Sequence, residues 1–157
     1  DMYINRKGIQ FGIKDTWSLD ATLSPIILSA LIKFKETINE PSRRDWVGVP
    51  NQIMYELFPD VEYNYSDEQL EKGAEYWNTI LDKMIYAFDP NNEPKILLYG
   101  FKFNHESEKT EEGFVKASIT PTNESEYQRY KNDEEQYWKH VDEGHLLFGK
   151  FFRSLWW

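Results

Sequence analysis

The segment from Ser66 to Pro90 constrains the fold more than any other part of the chain. Ser66, followed three residues later by Gln69, forms a capping box, in which each side chain satisfies a free backbone N–H group at a helix start. Asp67 and Glu68 add negative charge where the helix dipole favours it. Apolar residues then recur in steps of four and three, at Leu70, Ala74, Trp77, Leu81, Met84 and Phe88. This spacing predicts an amphipathic helix that ends before Pro90.

Two further helices are predicted, one before this segment and one after it. The first begins near Thr16 or Ser18 and ends by about Ile38. Ser24 is an alternative start, because Pro25 lacks a backbone N–H and fits best in a first turn. The last helix is predicted over residues 124–155, where Gly144 and Gly149 would let a neighbouring helix approach closely.

Strand signals are weaker and lie in two places. Alternating Ile9, Phe11 and Ile13 predict a short strand within an extended lead-in. The runs Ile96–Phe103 and Phe114–Ile119 flank a charged turn at 104–113 and predict a hairpin with a loop of about ten residues. The connection at 39–65 is predicted to contain one short helix, 51–58.

These elements predict an α+β fold that is predominantly α: three main helices packed together, with a β-hairpin insert, in a single domain over residues 1–157. With 40% hydrophobic and 29% charged residues, we expect a soluble globular protein. No stretch approaches the roughly 20 apolar residues of a membrane span. The absence of cysteine excludes disulfides and thiolate metal sites. The net charge of -9 argues against general binding to nucleic-acid phosphates.

The richest polar cluster lies on the predicted last helix. His140 and Glu143 share a helix face and are residue types that bind divalent metals, but carboxylate-and-histidine sites in helical bundles use a second such pair, which this chain lacks. Ordinary exposure is the better account of His140. We therefore expect no metal site and no cofactor.

His145 is in phase with the apolar stripe of the last helix, so a hydrogen-bonded position in the core is expected. Asp20 or Asp82 is its candidate partner, and an Asp20–His145 pair could act as an acid–base pair. No serine or threonine is placed as a nucleophile beside them. The weak catalytic candidates are thus Asp20, Asp82, Glu143 and His145.

Aromatic residues exceed what a core of this size needs, with six tryptophans and ten tyrosines. Tyr, Trp and Arg dominate interface hot spots, so the binding candidates are Trp138, Phe152, Trp156 and Trp157. Residues 151–157 place apolar groups around the whole helix, so this end is either buried by the strands or forms a binding or oligomer surface. Tryptophans left in water would forgo burial. A homodimer in which the last helix contributes to the interface is therefore expected.

Three blocks of the chain carry a resemblance. They are the W-S-L-D motif Trp17–Asp20 with Ile26–Glu36, the W-x-x-I-L-D-K-M-I-x-A-F motif Trp77–Phe88, and the E-G-x-x-L-F-x-K-x-F-x-x-L-W motif Glu143–Trp156. In order and character they resemble a family of small, uncharacterised proteins of tailed bacteriophages. The resemblance implies a phage origin and action in the host cytoplasm or in the virion, and it implies no catalytic residues. The strand-like insert at 95–120 is not part of the pattern.

The main hypothesis of function is a binding protein, a phage accessory factor that engages a host protein or a small ligand through an aromatic surface. The alternative is a metal-dependent nucleotide hydrolase built on helix-face carboxylates, which needs at least three converging carboxylates or histidines. A minor virion component is the third hypothesis.

Overall fold

A computed structural model describes residues 3–5, 8–10, 12–41, 48–111, 113 and 115–156, with the backbone alone for 3–5 and 8–10. Helices account for 66% of it, which confirms a predominantly α member of the α+β class. Contacts group the chain into two compact units. The first is Asp1–Pro90 with His140–Trp157, and the second is Asn91–Lys139. The single domain over residues 1–157 remains a prediction.

The elements follow in the order ββααα-ββα, with short 3-10 turns between several of them. They are β1 (Tyr3–Asn5), β2 (Gly8–Gln10), α1 (Leu19–Ile38), α2 (Asn51–Leu57), α3 (Asp67–Phe88), β3 (Phe103–Lys109), β4 (Val115–Pro121) and α4 (Glu124–Phe151). Strands β1 and β2 pair antiparallel, as do β3 and β4. Among the helices that the structure describes, none is both long and apolar enough to cross a membrane.

Helix α3 is the centre of the first unit, and its predicted start is confirmed. The Gln69 N–H donates to Ser66 Oγ at 3.3 Å, and the Ser66 N–H donates to Gln69 Oε1 at 2.9 Å. The helix ends at Phe88, directly before the residues predicted to stop it. Of its predicted apolar residues, Trp77, Leu81, Met84 and Phe88 are buried, and Leu70 and Ala74 are half-buried.

Helix α1 ends at Ile38 as predicted, but it begins at Leu19, so the alternative start at Ser24 is wrong. Pro25 lies inside the helix, where it cannot donate a backbone hydrogen bond. Side-chain hydroxyls support the first turns, since Thr22 donates to the Asp15 carbonyl at 2.8 Å and Ser24 donates to the Asp20 carbonyl at 2.7 Å.

The lead-in before α1 only partly matches its prediction. Residues 8–10 form strand β2, but Ile13 lies in a 3-10 turn and is exposed rather than in the predicted strand. Phe11 lies outside the described residues. The turn is fixed locally, because the Gly12 N–H donates to Asp15 Oδ2 at 2.8 Å.

The core of the first unit lies between α1, α2, α3 and the end of α4, which confirms the packing of three main helices. Trp77 of α3 contacts Phe34 of α1 and Phe151 of α4, with ring centroids 6.5 and 5.3 Å apart. The cluster consists of Leu31, Ile53, Trp77, Ile80, Leu81, Met84, Phe88 and Phe151.

The second unit contains the predicted hairpin, but its first strand is shifted along the chain. Ile96–Leu98 forms a 3-10 turn, and the residues predicted to form the charged turn instead form β3. This register leaves a loop of residues 110–114, within the usual length for hairpins, whereas the predicted register needed about ten residues. A small aromatic core lies beside it, where Phe101 is buried and its ring lies 5.4 Å from those of Phe103 and Tyr127.

Candidate functional site

An open pocket of about 370 Å³ in the first unit brings together several of the predicted polar residues. Helix α3 supplies residues spaced so that they share one face, and α4 adds two residues three positions apart. The lining consists of Thr79, Asp82, Lys83, Tyr86, His140 and Glu143. Two of the four catalytic candidates, Asp82 and Glu143, therefore line the same pocket.

Each carboxylate of this pocket is neutralised by a lysine. Lys83 Nζ lies 2.6 Å from Glu143 Oε1, and Lys35 forms an ion pair with Asp82. His140 packs edge-on against the ring of Tyr86, with centroids 5.6 Å apart. The pocket thus offers paired charges and an aromatic wall to a polar ligand. Thr79 donates its hydroxyl to the Glu75 carbonyl at 3.1 Å, so this hydroxyl is engaged within its own helix.

Asp20 and His145 do not join this pocket. Asp20 lies exposed in the first turn of α1. His145 is exposed, and its ring packs against Phe88 with centroids 4.8 Å apart. The expected core position of His145 is therefore wrong. Phe88, which the His145 ring meets, is the last residue of α3.

The metal-dependent alternative finds no donor set in the described part of the chain. No group of three or more histidine, aspartate or glutamate side chains there is placed to hold a metal ion. Because that hypothesis needs at least three converging donors, the geometry gives it no support.

The second candidate site is the aromatic end of the chain. Phe152 is 61% exposed and Trp156 is 69% exposed, so burial of this end by the strands does not apply to them. Trp138, which belongs to the second unit, is 49% exposed. Trp157 lies outside the described residues.

Phe152 is held by a ladder of rings that starts in the core. The Phe88 ring lies 5.0 Å from that of Phe148, which in turn lies 5.4 Å from the ring of Phe152. His145, Phe148 and Phe152 follow helical spacing along α4 and its terminal turn, and we call these three residues the aromatic stripe. Leu155 packs against the core cluster, which anchors the segment that carries Trp156.

Sequence reasoning missed two features of these sites. Lys83 and Tyr86 line the pocket, and their spacing from Asp82 and Thr79 on a confirmed helix was the signal that could have found them. Trp17 is 92% exposed beside the 3-10 turn, and nothing in the sequence distinguishes it from a tryptophan of the core.

No family model matches the chain, and neither a curated protein nor a solved structure matches it. The fold and its sites define an α-rich α+β protein with a charged pocket and an aromatic stripe whose terminal residue, Phe152, is exposed.

Proposed function

We propose that this protein is a binding protein, a phage-encoded accessory factor that engages a host protein through the aromatic stripe and Trp156. The observation that carries the proposal is the ladder from Phe88 to Phe152. The packed rings of Phe88 and Phe148 hold the Phe152 side chain in a solvent-exposed position. Action in the host cytoplasm and the phage origin belong to the same proposal and are supported by the three sequence blocks described above.

Two physical arguments support protein binding. Aromatic side chains bury much area at a low cost in conformational entropy, and they dominate the residues that contribute most to interfaces. Packing of Phe152 against Phe148 restricts its rotamers before a partner arrives, which lowers the entropic cost of association. A phage particle that carries the protein as a minor component would present the same surface.

Photo-crosslinking tests the proposal directly. A benzoylphenylalanine residue at position 152 should capture a defined protein from lysate of the bacterial host. The same probe at position 17 should not capture it. Trp17 is a fair control, because it is highly exposed in the same unit. It precedes the start of α1, a helix about 30 Å long. The carbonyl oxygen of Trp156 lies beside Gly48, and Gly48 lies beside Ile38 at the other end of α1. Positions 17 and 156 are therefore at opposite ends of that helix.

The captured protein is then purified and its affinity is measured. The double variant Phe152→Ser/Trp156→Ser should weaken binding by roughly 100-fold or more, as expected for two hot-spot residues. Trp17→Ser should leave the affinity unchanged. A partner that binds the double variant as tightly as the parent would overturn the proposal.

A second copy of the chain is the competing occupant of the same surface, as the predicted homodimer requires. In that case position 152 crosslinks to another copy, and the double variant converts a dimer to a monomer on a sizing column. The crosslinking probe at position 152 and the double variant therefore identify the occupant, whether it is a host protein or a second copy.

A further inference from the structure

Strand β4 of the β3–β4 hairpin has two chemically distinct faces. Residues that lie opposite each other in an antiparallel pair project from the same face, so the pairing register assigns every side chain. On β4, one face is wholly apolar and the other carries a single charge, at Lys116. The apolar residues are Val115, Ala117, Ile119 and Pro121, and the others are Lys116, Ser118 and Thr120. None of the seven is buried.

This hairpin forms a two-stranded sheet in the described part of the chain, so both of its strands are edges. An isolated two-stranded hairpin is marginally stable in water. Packing against a helix stabilises it, as Phe103 of β3 packs on Tyr127 of α4, and so do further strands. An edge strand presents unpaired backbone N–H and C=O groups that can pair with another strand. What distinguishes the two edges is their charge.

Charge disfavours pairing through β3 and permits pairing through β4. If two copies of β3 paired antiparallel about their middle residue, Glu106 would face Glu106 of the second copy. If two copies of β4 paired about Ser118, the middle residue of that strand, Ser118 would face Ser118, and Lys116 would face Thr120. This second arrangement places no like charges opposite each other. Lys116 also lies opposite Glu108 within its own hairpin, so opposite charges face each other there.

We propose that a second copy of this chain adds to the β4 edge, so that two hairpins form a four-stranded antiparallel sheet with twofold symmetry about Ser118. The middle residue is the favoured centre, because it brings all seven residues of each strand opposite a partner, with Pro121 contributing only its carbonyl group. The apolar residues of both β4 strands then share one face of the sheet. A seven-residue strand is about 24 Å long, so the contact is small and the dimer is weak and concentration-dependent. This association is separate from the aromatic stripe, which belongs to the first unit.

Position 120 gives a test with two opposite outcomes. Within one hairpin Thr120 lies opposite the neutral Asn104, but in the proposed dimer it lies opposite Lys116 of the second copy. Thr120→Lys therefore creates two like-charge pairs and should weaken dimerisation roughly tenfold, whereas Thr120→Glu creates two opposite-charge pairs and should strengthen it roughly threefold or more. Sedimentation velocity from about 10 μM to 1 mM measures both dissociation constants.

Asn104 supplies the matched control. It shares a hairpin face with Thr120 but lies on β3, so Asn104→Lys and Asn104→Glu should leave the dissociation constant unchanged. Circular dichroism of all four variants confirms that the fold is retained. The Phe152→Ser/Trp156→Ser variant should also keep this dimer, which separates the inference from the proposed function. A chain that is monomeric at about 1 mM, or equal effects at positions 104 and 120, would overturn the proposal.

Discussion

Gly144 of α4 lies directly against Ala87 of α3. A Cβ atom built at Gly144 would be 2.4 Å from the Cβ of Ala87 and 2.4 Å from the carbonyl oxygen of Lys83. The two helices therefore meet backbone against backbone at this point, beside the pocket that holds Lys83 and Glu143. The absence of a side chain at Gly144 sets the separation of the pocket walls.

Replacing Gly144 with alanine should destabilise the protein. Inserting a methyl group into a packed site costs about 1–3 kcal/mol, and more when backbone atoms must move. Removing a glycine from a helix returns about 1 kcal/mol. Because Lys83 contributes a backbone atom to the clash, we expect Gly144→Ala to lower the free energy of unfolding by about 2 kcal/mol. Chemical denaturation followed by circular dichroism measures this difference.

Gly149 is the matched control on the same helix. It was predicted to allow close helix approach as Gly144 does, but a Cβ atom there meets nothing within 4 Å among the described residues, so that prediction is wrong. Gly149→Ala should leave stability unchanged or raise it by up to about 1 kcal/mol. Equal losses for both alanine variants would show that helix contact at Gly144 is not the cause.

The capping box of α3 gives a second prediction. Ser66→Ala removes the side-chain acceptor of the Gln69 N–H and should lower the free energy of unfolding by about 1 kcal/mol. Ser29 is the control, because its exposed hydroxyl donates to the Pro25 carbonyl inside a helix. Ser29→Ala should be neutral or slightly stabilising, since alanine has the higher helix propensity. Thermal unfolding followed by circular dichroism at 222 nm measures both melting temperatures. Equal melting temperatures for the two variants would contradict the prediction.

These confirmed helices show what the sequence could predict. The boundaries of α3 follow from local bonds, namely the Ser66–Gln69 capping box and the missing donor of Pro90, so no tertiary information was needed. The hairpin register does not follow in this way. The apolar run from Ile96 predicted a strand, but β3 is exposed along its whole length, so burial does not select its register. Loop length selects the observed pairing instead.

The candidate site was only partly predictable for a similar reason. Spacing along one helix correctly placed His140 and Glu143 on a common face, because helical geometry fixes that relation. Which residues of different helices meet depends on packing. Asp82 was a candidate partner of His145, but it pairs with Lys35 of α1 instead. Spacing also placed His145 on the apolar stripe, but its exposure depends on how the helices pack, and there it meets the ring of Phe88 while remaining exposed.

A third prediction concerns the pKa of Tyr130. Its hydroxyl donates to Glu134 Oε1 at 2.8 Å, and this bond, followed by burial, raises the pKa of Tyr130 to about 12. At pH 11 only about a tenth of Tyr130 should therefore be ionised. NMR of tyrosine labelled with ¹³C at Cζ measures the titration, and Tyr130→Phe assigns the resonance.

Glu134→Ala should return the pKa of Tyr130 toward its ordinary value of 10.0, because the acceptor of the hydroxyl is lost. Glu135→Ala is the control, because it removes the same charge one residue away, from a side chain that pairs with Lys139. It should leave the pKa of Tyr130 raised. A raised pKa in the folded state favours the protonated phenol. The stability that Tyr130 contributes is thus fully present below about pH 10 and is lost as the pH rises toward about 12. A Tyr130 resonance that titrates near pH 10 in the parent would contradict this assignment.

The last prediction separates Leu155 from Trp156. Leu155 packs against the core cluster, whereas Trp156 is largely exposed, so the two neighbours should respond oppositely in two assays. Leu155→Ala should lower the free energy of unfolding by about 1–2 kcal/mol, less than the 2–5 kcal/mol of a fully buried leucine, because Leu155 is only partly buried. Trp156→Ser should change that free energy by less than about 0.5 kcal/mol, as exposed substitutions usually do.

In binding the order reverses: Trp156→Ser should weaken the partner complex at least tenfold, and Leu155→Ala, measured well below its unfolding temperature, should leave it nearly intact. Denaturation and titration calorimetry on the same two preparations provide both numbers. If Trp156→Ser instead unfolds the protein as readily as Leu155→Ala does, Trp156 belongs to the core and the proposed binding surface is limited to the aromatic stripe.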